Sequence, residues 1–115
     1  MRGMISFFEL GVADADKGRR FYEGLFGWSF ATGPSGTGWM IGTDGTPGGM
    51  HPDDPGATPY VFFEVDDMDR ALEKVQALGG EIVPFDHGED TRHGRFMFCK
   101  DDQGSPFGLH EPPRG

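Results

Sequence analysis

The hydrophobic pattern of the chain runs through one set of elements and then starts again. Residues 4–12 are apolar and aromatic with few polar interruptions, the composition of a strand. Asp14 follows, placed to cap a helix. In that helix Phe21 and Leu25 stand four apart, as do Tyr22 and Phe26, so both pairs fall on one side as an apolar stripe. Gly27 ends it. Short strands are predicted next over 28–32, over 38–43 around Trp39-Met40-Ile41, and over 46–51.

Residues 52–58 are rich in Pro, Asp and Gly and read as a linker. A strand from Tyr60 to Val65 then opens a second series, and Asp67 is placed to cap a second helix. Met68, Ala71, Leu72, Val75 and Leu78 recur at three and four, a helical stripe that Gly79-Gly80 stops. Strands are predicted over 81–84, 94–100 and 106–111. Val12-Ala13-Asp14 and Val65-Asp66-Asp67 each open a helix, and the order strand, helix, three strands occurs twice. A repeat near half the chain length points to paired units, about 4–51 and about 59–111, in one domain spanning 1–115.

Composition narrows the function classes. The chain has 115 residues, 36% of them hydrophobic and 11 of them Phe, enough for a packed core. Net charge is −9 and no Lys/Arg patch stands out, which disfavours nucleic acid and anionic membranes as partners. No apolar stretch approaches the roughly 20 residues of a membrane span. The first residues show no signal-peptide pattern, so the expected location is cytoplasmic. The single cysteine, Cys99, sits in the apolar run Phe96-Met97-Phe98-Cys99 and reads as a small buried hydrophobe rather than a catalytic thiol. Glycines clustered over 33–49 suit tight turns and short strands. No GxGxxG joins a strand to a helix, so nucleotide binding has no support.

The run Phe21-Tyr22-Glu23-x-Leu25-Phe26-Gly27-Trp28 after Val12-x-Asp14, with Val65-Asp66-Asp67, Gly94-Arg95 and Asp101-Asp102-Gln103-Gly104-Ser105-Pro106-Phe107, resembles the vicinal oxygen chelate superfamily. That family includes glyoxalase, extradiol dioxygenases and bleomycin-resistance proteins. The resemblance covers nearly the whole chain. It implies an α+β fold, two βαβββ units whose curved mixed sheets surround a small-molecule cavity with the helices outside, and a homodimer. Active members of the family usually hold one divalent metal on His or Glu, at one position on the first and one on the last strand of each half. Those positions here carry Phe7, Gly49, Tyr60 and Gly108, none of them an ordinary ligand. The expectation is therefore no cofactor.

Other residues could carry chemistry. Strand side chains two apart share a face, so Glu9, His51, Phe62 and His110 follow the four family positions coherently. Glu9, His51 and His110 form an alternative set for a divalent metal such as Fe or Zn, two His and one carboxylate. In the plainer reading His51 and His110 are partly solvated strand ends. Glu9 alone can serve as a hydrogen-bond acceptor or a general base, its pKa raised by its surroundings. Phe7, Tyr60 and Phe62 are expected to face inward, and Trp39, Phe96 and Phe98 to lie beside them, so that an apolar pocket would suit a flat aromatic or otherwise apolar ligand. Glu64 belongs to the pocket rim or to a solvated strand end. His87 and His93 lie in a polar stretch over 86–93 that reads as an exposed loop. The function expected is binding or sequestration of an aromatic or apolar compound. The alternative is a lyase, isomerase or dioxygenase acting on a small metabolite.

Overall fold

A computed structural model of the chain describes residues 3–34, 36–84 and 92–113. Its elements are β1 (Ile5–Gly11), α1 (Ala15–Phe26), β2 (Ser29–Thr32), β3 (Trp39–Gly42), β4 (Gly48–His51), β5 (Tyr60–Glu64), α2 (Met68–Ala77), β6 (Glu81–Val83), β7 (Arg95–Lys100) and β8 (Pro106–Glu111). The order strand, helix, three strands occurs twice, the α+β architecture the repeat predicts. Boundaries move by one or two residues at the strand ends, where ladders fray. The chain divides into two compact units. One runs from Phe7 to Tyr60, and the other joins the residues up to Ser6 with those from Val61 onward.

In the Phe7–Tyr60 unit the strand order is β2-β3-β4-β1, with β1 parallel to β4 and the other neighbours antiparallel. One face of this sheet holds Leu10, Ile41 and Met50 in a core, with Phe8, Val12, Tyr22, Trp28, Phe30 and Trp39 packed against it. Helix α1 closes that face. Asp14 caps it as predicted, accepting the N–H groups of Asp16 and Lys17 at 3.0 and 3.1 Å. Gly27, in the left-handed region at φ 73°, ends it. Replacing Asp14 with alanine leaves two of the helix's first N–H groups without their carboxylate. The expected loss is about 1 kcal/mol of stability, read from urea unfolding.

The apolar stripe of α1 is split rather than buried whole. Tyr22 packs on the core, while Phe21 and Leu25 are 62% and 58% exposed. The row turned to the sheet is Ala15, Gly18 and Tyr22, spaced three and four apart. Gly18 is needed there, because a Cβ would come within 2.9 Å of the Met50 sulfur. With small residues leading the contact row, Phe21 falls about a quarter turn from its centre and Leu25 about half as far, at the margin of the row.

In the other unit the order is β5-β8-β7-β6, with β5 parallel to β8. Val65, Met68, Ala71, Cys99 and Leu109 form its core, and Leu72, Val75, Met97 and Phe107 pack around them. The predicted stripe of α2 is thus buried except at Leu78, which caps the helix and is 71% exposed. Asp67 accepts the Arg70 N–H at 3.1 Å, and Glu111 at the end of β8 accepts the Met68 N–H at 2.8 Å, so the start of α2 is tied to the sheet. Cys99 is a buried free thiol whose pKa burial pushes up, which fits an inert core side chain. No helix among the described residues is long and apolar enough to cross a membrane.

Candidate functional site

The sheet face of the Phe7–Tyr60 unit that turns away from α1 carries a row across three strands, Glu9, Gly49 and Met40. Glycine at 49 gives the Glu9 carboxylate its place, since a Cβ there would come within 2.5 Å of Glu9 Oε1. The other carboxylate oxygen accepts a 2.6 Å hydrogen bond from His51 Nδ1. On its far side His51 Nε2 donates to Asp54 Oδ2 at 2.8 Å. The result is a carboxylate–imidazole–carboxylate chain, with Glu9 its most buried member and Asp54 its most exposed.

Asp54 reaches the chain because the segment after β4 folds back along the end of β1. The Asp53 and Asp54 N–H groups donate to the Ala13 and Val12 carbonyls at 3.2 and 3.0 Å, and Asp53 takes φ 62° to make the turn. Gly11 leaves room for it, because a Cβ there would come within 2.5 Å of Asp54 Oδ2. Two glycines therefore hold open the spaces that the two carboxylates fill. Asp54 and Gly11 are absent from the sequence-based candidates. The three-residue spacing of His51 and Asp54 was the available signal, hidden inside a stretch that reads as a linker.

Burial raises the Glu9 pKa, and the hydrogen bond and charge of His51 offset this only in part. For His51, burial works to lower the pKa, but the hydrogen bonds to Glu9 and Asp54 and their charges outweigh it, and the net direction is up. Both ring nitrogens face carboxylates, which favours the doubly protonated ring.

The matching face of the other unit carries a different chemistry. Its row is Phe62, Gly108 and Phe98. Here a Cβ at Gly108 would collide with the edge of the Phe62 ring. Phe62 is 2% exposed and meets Phe96 and Phe98 edge to face, with ring centroids 5.3 and 5.4 Å away. His110 stacks on Phe96 at 4.4 Å with the planes 9° apart. At 7% exposure His110 is buried, contrary to the expectation of a solvated strand end. Its Nε2 lies 2.9 Å from the His93 carbonyl and its Nδ1 2.9 Å from Ser6 Oγ. A carbonyl only accepts, so Nε2 carries the proton, and in the neutral ring Nδ1 accepts from the Ser6 hydroxyl. Burial lowers the His110 pKa, while the His93 carbonyl and the charge of Glu64 restore it only in part.

The two histidines should therefore titrate on opposite sides of the ordinary value of 6.5. Histidine ring resonances followed by NMR are expected to give a His51 midpoint above it and a His110 midpoint below it. Equal midpoints would show that neither set of partners acts as described.

Other candidates sort by face. Phe7 is buried in the first unit, and Tyr60 is half-buried where β5 starts. Trp39 is corrected: it lies on the helix-facing side, aligned with Met50, and its indole N–H donates to the Ala15 carbonyl at 3.0 Å. Strand alternation explains this, since Met40, not Trp39, shares the face of Glu9. The Arg19 guanidinium sits 4.9 Å over the Trp39 ring. Glu64 is half-buried, and its backbone pairs with Gly3 and Met4. Most of the 86–93 stretch, including His87, lies outside the described residues.

Of the alternative metal set, Glu9 and His51 come together, and His110 belongs to the other unit with its own partners. Among the described residues no group of three or more His, Cys, Asp and Glu is arranged to hold a metal ion. The positions where the family resemblance places ligands do not fit one either. Phe7, Gly49, Tyr60 and Gly108 supply no imidazole or carboxylate. At Gly49 and Gly108 the space for a ligand side chain is already taken by Glu9 and by Phe62.

Comparisons with known proteins agree with this architecture. The model of the Glyoxalase/Bleomycin resistance protein/Dioxygenase superfamily matches residues 4–109. A Mycobacterium tuberculosis protein named "Putative glyoxylase CFP32" is 29% identical over 126 residues, covering 98% of this chain and 47% of its own length. The chain thus spans about half the length of that relative. A glyoxylase-like domain-containing protein of Didymella fabae is 26% identical over 121 residues, covering 86% of this chain and 94% of its own. Among solved structures, methylmalonyl-CoA epimerase from Mycobacterium tuberculosis superposes with a TM-score of 0.68 at 17% identity, covering 96% of this chain and 89% of that one. The hypothetical protein BH1468 from Bacillus halodurans C-125 gives 0.74 at 11% identity, covering 98% and 96%. At such identities the structures speak for the fold alone.

Proposed function

The chain belongs to the Glyoxalase/Bleomycin resistance protein/Dioxygenase superfamily, and from that premise we propose that it binds a small organic molecule without a divalent metal at the family's ligand positions. One observation carries the proposal. The Glu9 carboxylate fills the space above Gly49 where a ligand side chain would stand, and His51 holds it there at 2.6 Å. Glu9 is then the polar group a bound molecule meets in the first unit. The phenyl face of Phe62, Phe96 and Phe98 in the second unit supports an aromatic or apolar ligand.

A thermal-shift screen of small aromatic and apolar compounds on chelator-treated protein tests the proposal. A ligand at a hundredfold excess over its Kd adds about 2.7 kcal/mol to the folded state, a clear rise in Tm. The expected result is a stabilising compound recovered chemically unchanged, with the stabilisation reduced by Glu9→Gln. A broad screen with no stabilising compound, or with hits only after metal is added, goes against it.

The hydrogen-bonded chain favours a second reading, in which Glu9 moves a proton. A buried carboxylate with a raised pKa suits abstraction of a proton from carbon beside a carbonyl, as a lyase or isomerase requires. His51 and Asp54 would act as positioning residues, fixing the carboxylate through the 2.6 and 2.8 Å bonds. Turnover of a hit, rather than its return unchanged, distinguishes this reading from the first.

The proposal includes a homodimer and a cytoplasmic location. The first is supported by the position of β2 and β6 at the two ends of the strand order among the described residues and by the exposed Phe21, Leu25 and Phe26. The second is supported by a lone, buried, unpaired cysteine. Sedimentation equilibrium should return twice the chain mass, and a monomer mass would overturn the dimer.

A further inference from the structure

Ser6 and His110 stand 104 residues apart in the chain and share a 2.9 Å hydrogen bond that the function above does not use. We propose that they form a nucleophile and base pair that accepts an acyl group from a small activated ester onto Ser6 Oγ. The geometry has the parts that such a pair requires: a hydroxyl, a base in hydrogen-bond contact with it, and a third group orienting the base. The third group is the His93 carbonyl. By accepting from Nε2 it fixes the tautomer that leaves the Nδ1 lone pair on the serine proton. The Phe96 ring, stacked at 4.4 Å, holds the imidazole plane.

Exposure divides the pair usefully. Ser6 is partly open, while His110 is buried. A reagent can therefore reach the hydroxyl while the base stays shielded from water. Burial also keeps His110 neutral, and so a base, to lower pH than an exposed imidazole. Phe96 and Phe98, half-buried on the same sheet face as His110, give an aryl or short alkyl ester an apolar surface to lie against.

In the step itself, the Ser6 oxygen bonds to the ester carbonyl carbon as its proton passes to His110 Nδ1. The bond from that carbon to the alcohol oxygen breaks, and the oxygen leaves with the electron pair. A phenolate leaves as the anion, and the imidazolium returns its proton to solvent. Water then attacks the acyl carbon, giving its proton to Nδ1. Ser6 Oγ leaves and takes that proton back.

The experiment uses the full chain and p-nitrophenyl acetate. Release of p-nitrophenolate is followed in the first turnover, and intact mass with peptide mapping locates any acetyl group. The wild type should release a burst of one equivalent per chain and carry one acetyl on Ser6. Ser6→Ala should lose both the burst and the adduct. His110→Gln should acylate about a hundredfold more slowly. Melting curves establish that each variant is folded. The Ser6→Ala comparison keeps the test decisive if His110→Gln does not fold. No adduct, an adduct confined to lysines or the terminal amine, or equal reaction of Ser6→Ala would overturn the proposal and leave the bond a purely structural one. The proposal is independent of Glu9, so an adduct on Ser6 would stand whatever the ligand screen finds.

Discussion

Gly108→Glu is expected to lower the unfolding free energy by about 3 kcal/mol, the upper part of the range for overpacking a filled site. The family resemblance implies His or Glu at this position in metal-holding members, so the substitution asks whether the space for such a side chain is free or filled. A side chain at 108 would begin in collision with the edge of the Phe62 ring. That ring is 2% exposed and held edge to face by Phe96 and Phe98, so it has no easy direction in which to swing. The new carboxylate would also need a hydrogen-bond partner in an apolar surround. Urea unfolding gives the number. Adding Phe62→Ala to Gly108→Glu should recover part of the loss, because it empties the contested space. If Gly108→Glu were as stable as the wild type, Phe62 would not be filling the position.

Glu9→Gln should change two things at once. If the protein turns over its ligand by proton transfer, the rate should fall by about 10²–10⁴, the usual contribution of a general base. The pH dependence of stability should also flatten on its alkaline side. Glu9 has a folded pKa above its ordinary 4.5, so the folded state grips that proton more tightly and loses stability as pH rises from there through the folded value. His51 acts in the same direction. Its stabilisation is complete below its ordinary 6.5 and is lost as pH rises through its raised folded pKa. His110 acts in the opposite direction, since its folded pKa is lowered: stability is lost as pH falls from 6.5 through that value. Glutamine removes the Glu9 contribution and weakens that of His51, which keeps Asp54, while the His110 limb stays as it was. Melting curves from pH 5 to 9, on the order of the physiological range, should show a shallower alkaline decline in Glu9→Gln. An unchanged slope would mean that the Glu9–His51 bond does not couple the two groups in solution.

The elements were legible because local signals carry them. Asp14 and Asp67 cap the helices where the pattern places them, and the parallel pairing of first with last strand in each unit follows the repeat. The sharing of one face by Glu9 and His51 could be read because strand alternation is strict. The side of the sheet that Trp39 takes depended on a one-residue register, which a strand of four residues bounded by glycine-rich turns does not reveal. Exposure of Phe21 and Leu25 was hidden because the contact row is Ala15, Gly18 and Tyr22, with Tyr22 its one aromatic member. The filling of Gly49 and Gly108 by neighbouring side chains is a property of space between strands, and sequence shows only two glycines. Ser6 and His110 meet through tertiary structure alone, with no local motif to mark them.

The most direct test of metal-independent binding is calorimetric titration of Zn²⁺, Fe²⁺ and Ni²⁺ into chelator-stripped protein, alongside Glu9→Ala, His51→Ala and His110→Ala. The predicted result is no stoichiometric site in the wild type, and only weak binding that none of the three substitutions alters. One metal bound per chain, and lost when Glu9, His51 or His110 is replaced, would contradict the account.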